Sequence, residues 1–555
     1  MKQHTNSTTN RTETKRRTLL GMIGIGASTI LAGCGGDEGE AADDGPAGGC
    51  DTIEPGADLS DCDLSGESFS DVSLVDADLS GANLSGASLE HVDLEGADIS
   101  GADFSGITAN EVSLIDATIG GATFAGADLS DVYFQVATAP ETDFSDARLE
   151  RVDFTGASLD DAVFDDAALE PVGFADATAT GASFAGTSVT TGHFPGATLD
   201  GAVFDGTSGS EFDFAEASLE GASFEDAAVD RVDFGDAIAT AVSFDGTSFD
   251  EAGFTGAALA DSTFADATLL FADFAGAAID GVSFARSSME EVSFEDSTLD
   301  GVTFEDGTLT GVYFQEATVA STTFTGASLT NVHFPDLDLT GTDFTDATLE
   351  SVDLTDTGLA GVSFDGGHLS EVHVQGADLS AASFAGGTID GWHASAVTAT
   401  GIDCSSASIT DLQAADATFA EGDFSEATIE DSTIHEVTFD SATFADAEFA
   451  DLEGPESTFT DAEFDGASAT GGDLWRADFT DSSLVGADFG DVHGHELVLV
   501  NADLTDASFA GADIQGADLT DATIQNTDFA GVNLWAGTWA NGSECTTEDC
   551  DGRAS

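Results

Sequence analysis

Basic residues are nearly missing from this chain. Its 555 residues hold 11 Lys and Arg against 106 Asp and Glu, a formal charge of −95. Five of the eleven (Lys2, Arg11, Lys15, Arg16, Arg17) fall within the first 17 positions, leaving six arginines and no lysine beyond. Direct nucleic-acid binding needs clustered cations against phosphate and is excluded. Proline (7) and tyrosine (2) are scarce too, while glycine reaches 64 and phenylalanine 41. That imbalance points to a repetitive chain rather than two to four ordinary domains. Disorder, the common companion of such acidity, does not fit 41% apolar residues. The six cysteines form no CxxC and no Cys/His pair at zinc spacing, so no metal site and no cofactor are expected.

The N-terminus reads as an address. Lys15-Arg16-Arg17-Thr18-Leu19-Leu20 resembles a twin-arginine export signal. The apolar run from Leu19 to Ala32 is too short to span a bilayer reliably and suits a signal core. It ends Leu31-Ala32-Gly33-Cys34, which resembles a lipobox. The resemblance implies a signal peptide over 1–33, cleavage before Cys34, and a lipid on its sulfur that anchors the chain to the outer face of the membrane. Residues 34–56 read as a Gly- and acid-rich tether leading into an N-terminal cap. Cys50 and Cys62 flank the start of the regular region, and Cys545 and Cys550 lie beyond its end within a C-terminal cap and tail, 537–555. In an exported protein two short disulfides are expected to staple those ends.

From Leu59 to Leu534 a centre recurs at every fifth residue without insertion, giving 96 units. Of these centres 84 are Phe, Leu, Ile, Val or Met, and 39 of the 41 phenylalanines fall on them; Phe212 and Phe271 do not. Neither a 3.6 nor a 2.0 period produces this pattern. Units such as Ala77-Asp78-Leu79-Ser80-Gly81 resemble the pentapeptide-repeat family. The resemblance implies an all-β fold over 57–536, a right-handed quadrilateral β-helix of about 24 coils. Four units make one square coil, with the centre and the residue two before it facing inward. At roughly 4.8 Å per stacked strand the rod is about 115 Å long.

The sequence supports that geometry independently. Among 192 inward sites only Glu67 is acidic. Val72, Val92, Val112, Val132, Val152 and Val172 supply the twenty-residue super-period of a four-unit coil. Seven small centres follow an enlarged inward partner by two residues, among them Trp392/Ala394 and Ile402/Cys404, so the interior volume is conserved. Every tenth residue from Phe124 to Phe344 is Phe, which predicts Phe ladders on two facing walls. Around 390–415 the order loosens, a candidate bend. Trp535 and Trp539 are read as caps for the last coil.

One outward column stands out. Tyr133, His193, Tyr313, His333, His373, His393 and His493 share one phase of the twenty-residue period, gathering both tyrosines and half of the ten histidines. It marks either a wall with room for larger side chains or an interaction face for a protein or glycan. A metal shared by His373 and His393 beside Glu371 is the weakest reading, because a closed site needs further ligands. Cys404 falls inward as a small apolar residue. Catalysis has no support: the arginines are scattered, and no loop leaves the frame to build a pocket.

The composition is of haloarchaeal type. Acids stacked in register repel, and at about 1 M salt the Debye length falls to roughly 3 Å, so a salt-requiring protein with cations as counterions is expected. Function is therefore read as a non-enzymatic, lipid-anchored rod on the surface of a high-salt envelope, serving as spacer, scaffold or interaction surface. The alternative, implied by the resemblance, is a DNA mimic acting on a DNA-binding protein such as a type II topoisomerase. Export argues against it.

Overall fold

The computed structural model describes residues 50–550 and 553. Arg16, Arg17 and Cys34 lie outside the described residues.

Each five-residue unit makes a short extended segment and then a corner. In nearly every unit the corner residue, two after the inward centre, takes a left-handed φ: Asp61 at 56°, Asp76 at 56°, Glu111 at 51°, Asn331 at 53°, with Pro171 and Thr191 excepted. A Cβ is disfavoured there, and Asp and Asn are tolerated better than most residues. The acids and glycines of the sequence are concentrated at these seats for that reason. Phe271 (53°) and Val136 (53°) occupy corners as well, and their side chains are 52% and 55% exposed. Phe271 escapes the Phe frame because it is a corner residue.

Coils pair in parallel at an offset of twenty residues. Bridges in this register run from Asp58↔Asp78 to Asp518↔Thr538. Four ladders, beginning at Asp58, Asp63, Ser68 and Ser73, define four walls. On the Ser68 wall the strands climb 19 twenty-residue steps, from Ser68–Ser70 to Glu448–Ala450. About 19 turns are thus strand-paired along the main sheet, against the 24 coils expected. The coils nearest the C-terminal end keep the register through single bridges such as Glu448↔Ser468 and Asp488↔Ser508. Among the described residues there is no helix. The architecture is a parallel β-solenoid.

The interior follows the frame. Phe174 stacks on Phe194 at 4.5 Å with planes 2° apart, and Phe184 on Phe204 at 4.7 Å and 1°. Across the core, Phe184 meets Phe194 edge-on at 5.6 Å and 89°. Two facing walls therefore carry stacked ladders whose edges interlock, the offset and T-shaped geometries that aromatic quadrupoles favour. Hydroxyls in the lining return to the backbone: Thr247 Oγ1 donates to Phe244 O at 2.7 Å, Ser262 Oγ to Ala239 O at 2.6 Å, and Ser297 Oγ to Phe294 O at 2.6 Å. Buried hydroxyls paired in this way cost little.

Three local expectations are corrected, and one inward phenylalanine off the centres finds its room. Glu67 is exposed rather than inward; it sits in the first coil, where the interior is not yet closed. Phe212 is buried and stacks near Phe214 at 5.8 Å. Its volume is balanced by Gly192, its partner one coil earlier, where a Cβ would lie 3.5 Å from the Phe212 ring. The stretch near 390–415 keeps its register through His393↔Gln413 and Asp403↔Asp423. Trp392 is fully buried there, tilted against Phe384 at 5.3 Å, and fills the room that Ala394 leaves. Finally, Trp539 packs on Phe529 at 5.6 Å as an end cap, whereas Trp535 is 55% exposed and caps nothing.

The ends are tied. Cys50 is bonded to Cys62 and Cys545 to Cys550. Beyond the last parallel bridge the chain folds back, with Thr538 pairing antiparallel to Glu544.

Candidate functional site

The frame fixes where each outward side chain goes. On the Ser73 wall the inward centre is flanked by two outward columns, one residue before it and one after. The first is the phase singled out in the sequence: Tyr133, His193, Tyr313, His333, His373, His393 and His493 are successive members of one inter-coil ladder, interleaved with acids such as Asp153, Asp213 and Asp353. Neighbours on that ladder stack. Tyr313 and His333 lie 5.3 Å apart with planes 1° apart, and His373 and His393 5.3 Å apart at 12°. Parallel stacking sets the in-plane lone pairs of the two imidazoles side by side rather than aimed at one point. The geometry does not suit a shared metal.

The second column was missed at the sequence level because only one outward position per unit was compared. It holds Gln135, Gln315, Gln375, His435, Trp475, His495, Gln515 and Trp535, with only two acids, Glu95 and Glu295. Taken together, the two columns carry both tyrosines and both exposed tryptophans. They also carry seven of the nine histidines and five of the six glutamines among the described residues. The other three walls hold almost none of these planar polar side chains. Repeating the twenty-residue comparison at the following outward position is the signal that reveals them.

Electrostatics along this wall are local. Tyr133 is half-buried; burial first, then Asp131, Glu111 and Asp153, push its hydroxyl above the ordinary value. Gln135 Nε2 donates to Asp153 Oδ2 at 2.6 Å. Toward the C-terminal end Asp513 gathers three neighbours. His495 Nε2 lies at 3.2 Å, Gln515 Nε2 at 3.1 Å and Asn533 Nδ2 at 2.9 Å. Burial pushes the Asp513 carboxyl up, but the bonds from His495 and Gln515 outweigh it and leave it below its ordinary value. Trp475 carries the Arg476 guanidinium 4.3 Å from its ring centroid, and Arg476 is held by Glu496 at 2.7 Å and Glu456 at 3.2 Å. Ligand-type atoms of His435, Glu436 and Glu456 lie within 4.8 Å of one another on the same edge. Glu456 is already engaged by Arg476 there.

Cys404 is buried, and burial together with Asp403 and Asp423 pushes its thiol far up. It is a packing residue, not a nucleophile.

Comparison with known proteins follows the same lines. Models of pentapeptide repeats match residues 56–90, 68–106, 127–166, 308–346, 322–357, 457–493 and 498–535, and a pentapeptide repeat region model matches 247–324. No curated protein matches the chain by sequence. Among solved structures, QnrB1, a plasmid-mediated fluoroquinolone resistance protein, is 18% identical, covering 37% of this chain and 93% of its own, with a TM-score of 0.22. HetL, a pentapeptide repeat protein involved in heterocyst differentiation regulation from the cyanobacterium Nostoc, is 18% identical over 49% of this chain and 89% of its own, TM-score 0.12. A pentapeptide repeat protein of the Arabidopsis thaliana thylakoid lumen is 30% identical over 22% of this chain and 64% of its own, TM-score 0.08. With a five-residue frame, a twenty-residue register and these model matches, the chain belongs to the pentapeptide-repeat family.

Proposed function

We propose that this protein is a non-enzymatic, lipid-anchored rod on the outer face of the membrane in a high-salt envelope, presenting one wall as an interaction surface. The reading rests on one observation above the others: planar polar side chains concentrate on the Ser73 wall, while the other three bear mainly short hydroxyls and carboxylates. A long solenoid face of this kind suits recognition of an extended partner. Acids occur on all four walls, from Asp58 and Asp63 to Glu90 and Asp93. That distribution suits a solvation coat in concentrated salt better than the groove-like stripes a DNA mimic requires.

The test is fractionation with lipid labelling of the native chain beside a Cys34→Ser variant. Labelled protein in the membrane fraction, accessible to protease added outside intact cells and released by the substitution, supports the proposal. Unlabelled protein in the cytosol overturns it.

A further inference from the structure

The segment of the Ser73 wall between Trp475 and Trp535 has the chemistry of a saccharide-binding strip, and we propose that it binds an uncharged linear glycan laid along the rod axis. The proposal rests on the reading of that wall as an interaction face and names its occupant.

Four features select this partner. First, the strip is narrow and periodic. Trp475, His495, Gln515 and Trp535 follow one another at one coil each on a single column, and Asp473, His493, Asp513 and Asn533 run beside them. The two tryptophans, 38% and 55% exposed, are three coil steps or about 14 Å apart. An extended chain of hexose rings advances by close to one coil step per ring, so such a polymer stays in register with the wall, ring after ring.

Second, the groups are the right ones. Indole and imidazole faces pack against the C–H faces of sugar rings, since each is an apolar plate with a polar rim. Amides and carboxylates pair with hydroxyls as donors and acceptors.

Third, the strip is preorganised. Glu456 and Glu496 hold Arg476 against Trp475, fixing the indole and leaving it exposed where the guanidinium does not cover it. Asp513 fixes His495, Gln515 and Asn533. Ordering these side chains before binding removes an entropic cost from association.

Fourth, other partners fit poorly. Glu456, Asp473, Glu496 and Asp513 line the strip and repel polyanions, including uronate polymers and nucleic acid. A protein interface needs a contiguous apolar centre. Here the exposed large apolar residues stand singly, with Val136, Ile238 and Phe271 far along the chain from the two tryptophans.

The experiment is a titration of tryptophan fluorescence in the full chain at about 2 M KCl, where surface charge is screened. The probes are β-1,4-linked hexasaccharides of glucose, xylose and mannose. Saturable quenching by at least one neutral hexasaccharide is expected. Trp475→Ala and Trp535→Ala each weaken it at least about tenfold, Trp475→Phe retains most of it, and Phe271→Ala, at a corner more than 200 residues earlier in the chain, leaves it unchanged. Circular dichroism melts establish that the variants remain folded. Absence of saturable quenching by every neutral probe overturns the proposal. So does wild-type affinity in both alanine variants, or capture of an envelope protein through the same tryptophans. Fractionation of the Cys34→Ser variant reads anchoring alone, so a failed titration leaves the surface location standing, and the reverse holds too.

Discussion

Arg151 grips Asp131, the corner residue one coil before it, through two parallel hydrogen bonds: Nε to Oδ1 at 2.9 Å and Nη2 to Oδ2 at 2.8 Å. Arg286 repeats the geometry on Asp266, at 2.9 and 2.8 Å. In a chain with so few cations, each arginine at a corner ties two coils where two acids would repel. The bond from Arg151 lowers the Asp131 carboxyl below its ordinary value, against a smaller upward push from burial. A carboxyl lowered in the folded state contributes stability above its unfolded value, and that contribution is lost as pH falls through the folded one. Asp131→Asn is therefore expected to lower the urea midpoint at neutral pH. The difference from wild type should shrink as pH falls from the ordinary aspartate range through the lower folded value.

Salt dependence follows from the coat of carboxylates. Circular dichroism melts in a KCl series are expected to show the transition falling steadily below about 1 M and cooperativity lost below roughly 0.1 M without divalent ions. An unchanged cooperative melt at the lowest salt would sink the idea.

Gly209 lies too close to the backbone of the previous coil to carry a Cβ. Gly209 has φ 140°, and an alanine there drives its methyl into the Val189 carbonyl. Gly209→Ala is expected to cost about 3 kcal/mol or more, as strain and overpacking add. Gly206→Ala, at φ 64° with open space around it, costs about 1–2 kcal/mol. Paired urea denaturation curves compare them.

Truncating one rung of a Phe ladder opens a cavity between two others. Phe184 stacks on Phe164 and Phe204, each at 4.7 Å. Phe184→Ala is expected to cost about 3–5 kcal/mol, measured in the same way.

Thiol chemistry separates the cysteines. In a Cys34→Ser background, with both disulfides intact, the native protein is expected to show no reactive thiol. One thiol, Cys404, should appear on unfolding, since burial holds it protonated and out of reach. A thiol titrating in the native state contradicts this assignment.

The solenoid was legible because each of its units obeys the same inward constraint, so Leu59 and Leu534 report the same sterics as every centre between them. Exceptions were legible only where the compensation lay within one unit, as in Trp392/Ala394. Phe212 draws its room from Gly192 in the previous coil, a relation that a five-residue comparison does not contain. Glu67 departs because an end coil lacks a neighbour on one side. Half of the candidate wall was visible as the Tyr133–His493 phase. The Trp475–Trp535 column stayed hidden because it falls on the other side of the inward centre. That Arg476 covers Trp475 and Asp513 gathers three donors depends on rotamers, which no sequence period encodes.

Strands that run across the rod and bond only to the coils before and after them have a mechanical consequence. A pull along the axis loads the few hydrogen bonds of the outermost coil and not the whole ladder at once. Each coil that lets go releases twenty residues, about 65–70 Å of contour, and exposes an identical rung behind it. Pulled from its two ends, such a rod is expected to lengthen in equal increments at nearly constant force. It behaves as a shock absorber that reels itself back when the tension drops.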